Sequence, residues 1–347
     1  MTTVTIGMDL GDRKHQICVL DERGRRVSQS SVNNTATAVR KYFQKYAGAV
    51  VAMETGTHSP WISRLLASLG CRVLVGNSRK LRAIWKSPDK CDVRDAEMLA
   101  RIARLDPNLL WPVQHRSEQA HADLERIKAR DALVRSRRSL VNHVRGAVKA
   151  FGVRVPACST DSFARRARAH LPKVLHEAVA GVLAMIEQLT DQIHDYDRQI
   201  AGLSRERYAQ SERLQQVDGV GALTALAFVL TLEEPQRFAT SRSVGAYLGL
   251  APRRDQSGET DKQLPITKAG NRYLRQLLVT SSHYILGPFG PDSDLRRYGL
   301  RIAARGGKNA KKRAVVAVAR KLSVLLHHLW KTGADYDPLY GAGVPAA

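Results

Sequence analysis

Two aspartates three residues apart, Asp92 and Asp95, stand in the stretch Lys90-Cys91-Asp92-Val93-Arg94-Asp95-Ala96-Glu97-Met98-Leu99-Ala100. Met98, Leu99 and Ile102 supply an apolar side, and Pro88 and Asp89 punctuate the chain just before them, so the stretch reads as the start of a helix. On a helix the two carboxylates project from one face and repel. Near an N-terminus the helix dipole offsets part of that repulsion, by roughly 0.3–1 kcal/mol per carboxylate. Two chemistries fit: a solvated acidic turn that caps the helix, or half of a divalent-metal site.

Two more carboxylates bear on that choice. Residues 4–10 (VTIGMDL) read as a short apolar strand with Asp9 inside it, and residues 49–53 (AVVAM) as a buried strand ending at Glu54. A charged carboxylate at a buried strand position is costly unless paired or metal-bound. Four carboxylates from three elements make an oxygen-only donor set, suited to Mg²⁺ or Mn²⁺ rather than zinc. Two such ions can clamp the attacking and leaving oxygens of a phosphoryl transfer.

The elements that must position these groups follow from periodicity. Residues 15–20 (HQICVL) read as an antiparallel neighbour of the first strand, and Asp21 to Gly24 as the turn into a third strand beginning near Arg25. A helix over about 35–46, the strand ending at Glu54, a helix over about 60–69 and a strand at 72–76 follow. Hairpin strands first, then β-α-β alternation, predict an α/β domain with a mixed sheet in which Asp9 and Glu54 meet at one edge.

The totals say what such a site acts on. Of 347 residues, 55 are Lys or Arg against 32 Asp or Glu, a formal charge of +23. That imbalance favours a polyanionic partner, most often nucleic acid. An anionic membrane is the competitor, but no long apolar span and no basic juxtamembrane segment occur. The opening MTTVTIGMDLG goes straight into a strand, without the layout of a secretory signal. Cys18, Cys71, Cys91 and Cys158 are scattered, with no CxxC pair, and read as reduced thiols of a cytoplasmic protein.

Beyond the first domain, residues 117–150 are basic and helical in pattern, densest at Arg135, Arg137, Arg138 and Arg145. Residues 151–162 read as a break. From 163 to 210 a second helical stretch places Val182, Met185, Leu189, Ile193, Tyr196, Ile200 and Leu203 mostly at alternating three and four spacing, a heptad seam. Either a coiled-coil arm or a long helix packed on its own domain satisfies it. The Gly-Val-Gly turn in LQQVDGVGALTALAFVL resembles a helix-hairpin-helix, whose backbone N–H groups hold phosphate without reading sequence. YLGLAPRR ends a helix; DQSGET reads as a polar, flexible loop; ITKAGNRYLRQLL restarts a basic helix carrying Lys268, Arg272 and Arg275. Ser257, beside Gly258 and flanked by Arg253, Arg254 and Lys268, is either an incidental surface serine or a nucleophile for a phosphodiester, with the cations stabilising the developing charge. Residues 308–330 form a basic helix with Lys311 and Lys312 at its start. His327 and His328 diverge on that helix and do not read as ligands. Residues 334–347 lack periodicity and read as a flexible tail.

Taken together, GMDLGDRKH, AMETGTHSPW and KCDVRDAEMLA resemble the three acidic blocks of the RuvC-like (RNase H fold) domain of DEDD transposases, the recombinases of bacterial insertion sequences of the IS-one-ten and IS-eleven-eleven types. GLAPRR…SG…ITKAGNRYLR is similar to the second, transposase domain of the same family. The resemblance implies a fold that is α/β plus α: a RuvC-like metal domain over 1–112, a basic helical coiled-coil region over 113–210, and a mostly helical transposase domain over 211–333. It implies a D-E-D-D set of Asp9, Glu54, Asp92 and Asp95 holding Mg²⁺, with Ser257 as the serine that becomes covalently linked to DNA. It also implies donor and target DNA duplexes, a structured bridge RNA as guide, and a homo-oligomer, dimer or tetramer, acting in the bacterial cytoplasm at the nucleoid. Arg253, Arg254, Lys268, Arg272, Arg135, Arg138, Lys311 and Lys312 are the candidate nucleic-acid contacts. Three alternatives stay open: a RuvC-like nuclease or junction resolvase with water as nucleophile, an actin-like ATPase or kinase built on IGMDLG, and a non-enzymatic basic binding protein.

Overall fold

The computed structural model describes residues 4–81, 91–257 and 260–340. The chain divides into two compact units, Met1–Arg116 and Ser117–Ala347. The expected Pro88 and Asp89 punctuation, with Lys90, lies outside the described residues, as do Gly258 and residues 341–347.

The first unit is built on a five-stranded sheet. β1 (Thr5–Asp9), β2 (Lys14–Leu20) and β3 (Arg26–Asn33) run antiparallel in sequence, and β4 (Val50–Glu54) and β5 (Arg72–Gly76) join parallel to β1. The order is β3-β2-β1-β4-β5, the mixed sheet expected. Strand alternation sorts two faces. Ile6, Met8, Ile17, Val51 and Met53 pack with Val39 and Phe43 of α1 (Ala36–Phe43) and Ile62 and Leu66 of α2 (Ser59–Ser68). Cys18, Leu20, Ala52 and Leu74 point the other way, towards Ala96, Leu99, Ala100 and Ala103 of α3 (Asp92–Leu105). That second face is rich in small residues, so α3 lies close to the sheet. The Thr35 hydroxyl accepts from the Ala38 N–H and fixes where α1 starts.

The second unit opens with two long helices, α4 (Glu118–Ala147) and α6 (His176–Glu206), joined through the short α5 (Phe163–Arg168). They are antiparallel: Asp123 meets Arg207 at 2.9 Å, Arg130 meets Asp197, and Arg137 meets Thr190 at 3.0 Å. This corrects the expected seam. Along the first half of α6 the buried positions are Val179, Leu183, Ile186 and Thr190, one residue on from Val182, Met185 and Leu189. Met185 is exposed, and the two registers merge at Ile193. The helix packs on its own unit, and α4 sets the buried stripe. Arg137, part of the densest basic run, is buried, where its guanidinium donates to Asp161 at 2.7 Å as well as to Thr190.

The remaining helices enclose α8 (Ala222–Leu232), which is buried from Thr224 to Leu232. α7 (Gln210–Leu214), α9 (Arg242–Tyr247), α10 (Arg272–Leu286), α11 (Asp294–Ala304) and α12 (Ala310–Thr332) complete the unit, with a hairpin of β6 (Pro252–Ser257) and β7 (Thr260–Ile266). His327 is buried, its ring bonded to the Ser241 hydroxyl and the Pro235 carbonyl, each at 2.9 Å, which is a structural role. The tail also departs from expectation as far as residue 340. The Tyr336 N–H donates to Gln216 at 2.9 Å, and the Pro338 carbonyl accepts from the Asp294 N–H at 2.7 Å. Such backbone ties hold a chain that has no periodicity of its own.

Candidate active site: a carboxylate cluster and a serine hairpin

In the first unit, β1 and β4 are neighbours with Met8 opposite Met53. The next residue on each strand is a carboxylate, so Asp9 and Glu54 emerge together at the carboxyl ends of the two inner parallel strands. Gly7 brings the other pair to them. A Cβ on Gly7 would sit 1.9 Å from the Ala96 carbonyl oxygen and 2.6 Å from the Ala100 nitrogen, so only glycine admits α3 this close. Two residues further along β1, about 6.6 Å, is Asp9. Along α3, Asp92 lies one turn back from Ala96, about 5.4 Å, and Asp95 directly precedes Ala96, both in the first turn. The acidic face of α3 is thereby aimed at the strand ends.

The electrostatics register the convergence. Burial pushes the Asp9 carboxyl up to about 6, and the charges of Asp92, Asp95 and Glu54 push it the same way, against a hydrogen bond from the Leu10 N–H. Among the described residues, however, no three His, Cys, Asp or Glu side chains stand close enough to hold an ion as they are. The donor set is all oxygen, and the group its neighbours disfavour most is the one a cation would relieve. These residues fit a hard divalent cation that draws them in. Gly7, the residue that sets the approach, carried no periodic signal; its role is visible only against α3. Gly7→Ala is therefore expected to cost at least about 1–3 kcal/mol, since backbone rather than a side-chain tip must give way. Thermal unfolding checks this; an unchanged midpoint would show that α3 does not need the close approach.

A second cross-tie joins the first two acidic blocks. His58 Nε2 lies 3.3 Å from Asp12, and the Trp61 indole N–H meets His58 Nδ1 at 3.4 Å. These contacts link the turn after β1 to the loop after β4, and spacing alone did not mark them.

In the second unit, the Asp255-Gln256-Ser257 part of the expected loop is strand. Asp255, Gln256 and Ser257 belong to β6, and Ser257 pairs with Thr260 across the hairpin end. Ser257, Arg253 and Arg254 are exposed on that strand. The strand was hidden because neither of its faces is buried, so no alternation of apolar residues marks it. The base of the hairpin is tight. Gly249, at φ +70°, would put a Cβ 2.2 Å from the Ala269 nitrogen, and the Arg275 guanidinium donates to the Leu248 and Ala269 carbonyls at 2.9 and 2.6 Å. Lys268 is exposed at φ 55°, and Arg272 is exposed in the first turn of α10, whose cap is the Asn271 side chain. Arg135 and Arg138 are exposed on α4, Arg135 beside Asp131 at 3.0 Å, and Lys311 and Lys312 are exposed in the first turn of α12. The Gly219-Val220-Gly221 turn between α7 and α8 opens on a cavity of about 500 Å³ that Thr224, Ser281 and Tyr284 also line.

Comparison with known proteins bears on both units. Residues 6–152 match the transposase family model of the DEDD, IS110 type, and residues 211–291 match the Transposase IS116/IS110/IS902 family. The chain belongs to this family of insertion-sequence transposases. The transposase is 28% identical, over 97% of its length and all of the relative's, to a probable family 20 transposase of Pseudomonas aeruginosa. It is 27% identical to the transposase for insertion sequence element IS1111A of Coxiella burnetii, over 91% of its own chain and 86% of that one. A pilin gene-inverting protein of Moraxella bovis is 23% identical over 82% of this chain and 80% of its own. The transposase is thus an enzyme that recombines DNA, and DEDD membership implies divalent-metal dependence. Its five-stranded sheet is compatible with a RuvC-like domain. Among the described residues no helix is long and apolar enough to cross a membrane.

Proposed function

We propose that this transposase cuts and rejoins DNA with Ser257 as nucleophile and with Asp9, Glu54, Asp92 and Asp95 as the holders of Mg²⁺. The observation that carries the reading is the convergence of three carboxylates on Asp9 at the carboxyl ends of the two inner strands. A divalent cation there neutralises charge on the scissile phosphate and on the leaving oxygen. Ser257 Oγ attacks phosphorus, a phosphoserine bond forms, and the deoxyribose oxygen leaves. The phosphodiester's energy is kept in that bond, so strand exchange reverses it without nucleotide hydrolysis. Arg253, Arg254 and Lys268 offer positive charge beside the serine for the developing phosphorane. Residues 1–112 serve as the metal domain, 113–210 as the basic helical region and 211–333 as the transposase domain, in a dimer or tetramer on donor and target duplexes.

The same reading gives the basic surface a second polyanion, a structured bridge RNA whose base pairing supplies most of the sequence choice. Exposed cations on α4 and α12 suit backbone contact with either polymer. Purification of the chain with RNA co-expressed from its own element, followed by sequencing of the bound RNA, is expected to return one discrete species. Random host fragments alone would remove the guide from the scheme and leave the DNA chemistry standing.

A further inference from the structure

Trp111 is the one bulky residue of the first unit's described part with a left-handed backbone, φ 50° and ψ 61°. An indole there is strained, and such strain persists only where the surroundings impose it. The surroundings do impose it. The Asp106 carboxylate accepts from the Asn108 N–H at 2.9 Å, the Trp111 N–H donates to the Asn108 carbonyl at 2.9 Å, and Leu110 is fully buried. The Leu110 carbonyl accepts from the Asn77 N–H at 2.9 Å, and the Val113 N–H donates to the Val75 carbonyl at 2.8 Å, so the segment is pinned along the outer edge of β5. The strain does not serve the core, because Trp111 is 51% exposed.

One face of the indole is covered: Lys80 Nζ stands 3.5 Å from the ring centroid. Exposure therefore falls on the opposite face and the edges. Lys80 itself sits on a turn closed by its N–H to the Asn77 carbonyl, and Ser78 of that turn hydrogen-bonds Thr55 at 3.0 Å. Thr55 follows Glu54, and Glu54 pairs with Gly76 at the end of β5. The aromatic face and the ammonium thus lie at the carboxylate end of the sheet, one strand away from Glu54.

We propose that Trp111 and Lys80 form a platform on which one unpaired nucleobase of the strand passing the carboxylates stacks, with Lys80 on its phosphate. The proposal rests on the reading of those carboxylates as the site of DNA chemistry. An aromatic face beside a cation matches a nucleotide, which offers a π-face and an anion together. An apolar protein partner would instead bury the Lys80 ammonium without a countercharge. A base inside a duplex has both faces already stacked, so the platform selects single strands.

The test uses the full chain in EDTA, with a roughly 15-nucleotide single strand carrying 2-aminopurine and the duplex of the same sequence. Trp111→Ala is expected to weaken single-strand binding by roughly 5- to 150-fold while duplex binding stays at the parent's level; Trp111→Phe falls between. Quenching of 2-aminopurine at one position in the parent disappears in Trp111→Ala. Trp111→Gly relieves the backbone strain, so it folds as the parent does and still loses the single-strand preference. Parent-like single-strand binding by both Trp111→Ala and Trp111→Gly overturns the proposal, as does an equal loss on single strand and duplex. A changed oligomeric state with unchanged binding overturns it too, and assigns this corner, where Leu105 and Leu109 are also exposed, to a protein contact. Because the assay holds no metal and runs equally in a Ser257→Ala background, failure of the serine and metal scheme would leave the binding difference intact.

Discussion

Ser257→Ala is expected to abolish both DNA cleavage and strand joining, by about 10³-fold or more, the scale on which loss of a serine nucleophile is felt. The parent should yield a protein–DNA adduct that survives denaturing electrophoresis and runs with the phosphoserine peptide after digestion; the variant should yield none. Ser257 is exposed at the end of β6, so alanine opens no cavity there, and thermal unfolding and duplex binding should match the parent. That control separates lost chemistry from lost fold. The competing scheme, a RuvC-like nuclease with water as nucleophile, makes the opposite forecast: no adduct in the parent and full cleavage in the variant. Observing that pair of results would leave the carboxylates as the whole catalytic apparatus and the hairpin as a surface feature.

Legibility in the sequence tracked burial. β1, β2, β4 and β5 were readable because one or both faces are buried and the residues alternate or run apolar. Asp9 stands out as a charge inside such a strand and Glu54 as one where such a strand ends. Asp92 and Asp95 were readable as a pair because their spacing alone places them on one helical face. What sequence did not carry was everything decided by a partner. Gly7 became meaningful only once α3 lay 1.9 Å from its missing Cβ. The α6 stripe falls on Ile186 rather than Met185 because α4 selects which face is covered. Arg137 left the basic surface because Asp161 and Thr190 receive it inside. The β6–β7 hairpin is paired through backbone while its β6 side chains face solvent, so no hydropathy pattern could announce it. Trp111 carries no periodic signal in the sequence, and only its backbone angle, its exposure and Lys80 together give it a role.

The carboxylate cluster carries a cost that Asp9→Asn should reveal in the opposite direction to its effect on activity. In the metal-free protein the Asp9 carboxyl titrates near 6, above its ordinary 3.8, first because it is buried and then because Asp92, Asp95 and Glu54 surround it. A carboxyl whose folded value is raised favours the protonated fold. Its penalty is absent below about pH 4, grows as pH rises towards 6, and is fully present above that, worth up to about 3 kcal/mol. Asp9→Asn removes the charge and keeps the shape. In EDTA at about pH 8 it should unfold at a higher temperature than the parent, and the difference should shrink as the pH is lowered through 6 towards 4. Mg²⁺ reverses the ranking. An ion bound to the folded state alone stabilises by about 2.7 kcal/mol at a hundredfold excess over its dissociation constant. The parent should gain that increment, the variant should lose most of it, and strand joining should vanish with it. A variant less stable than the parent in EDTA at high pH would mean that Asp9 is held by a favourable partner, and the cluster would then be a structural ion network. A parent whose unfolding is indifferent to Mg²⁺ would detach the four carboxylates from the metal while leaving the serine question to its own adduct.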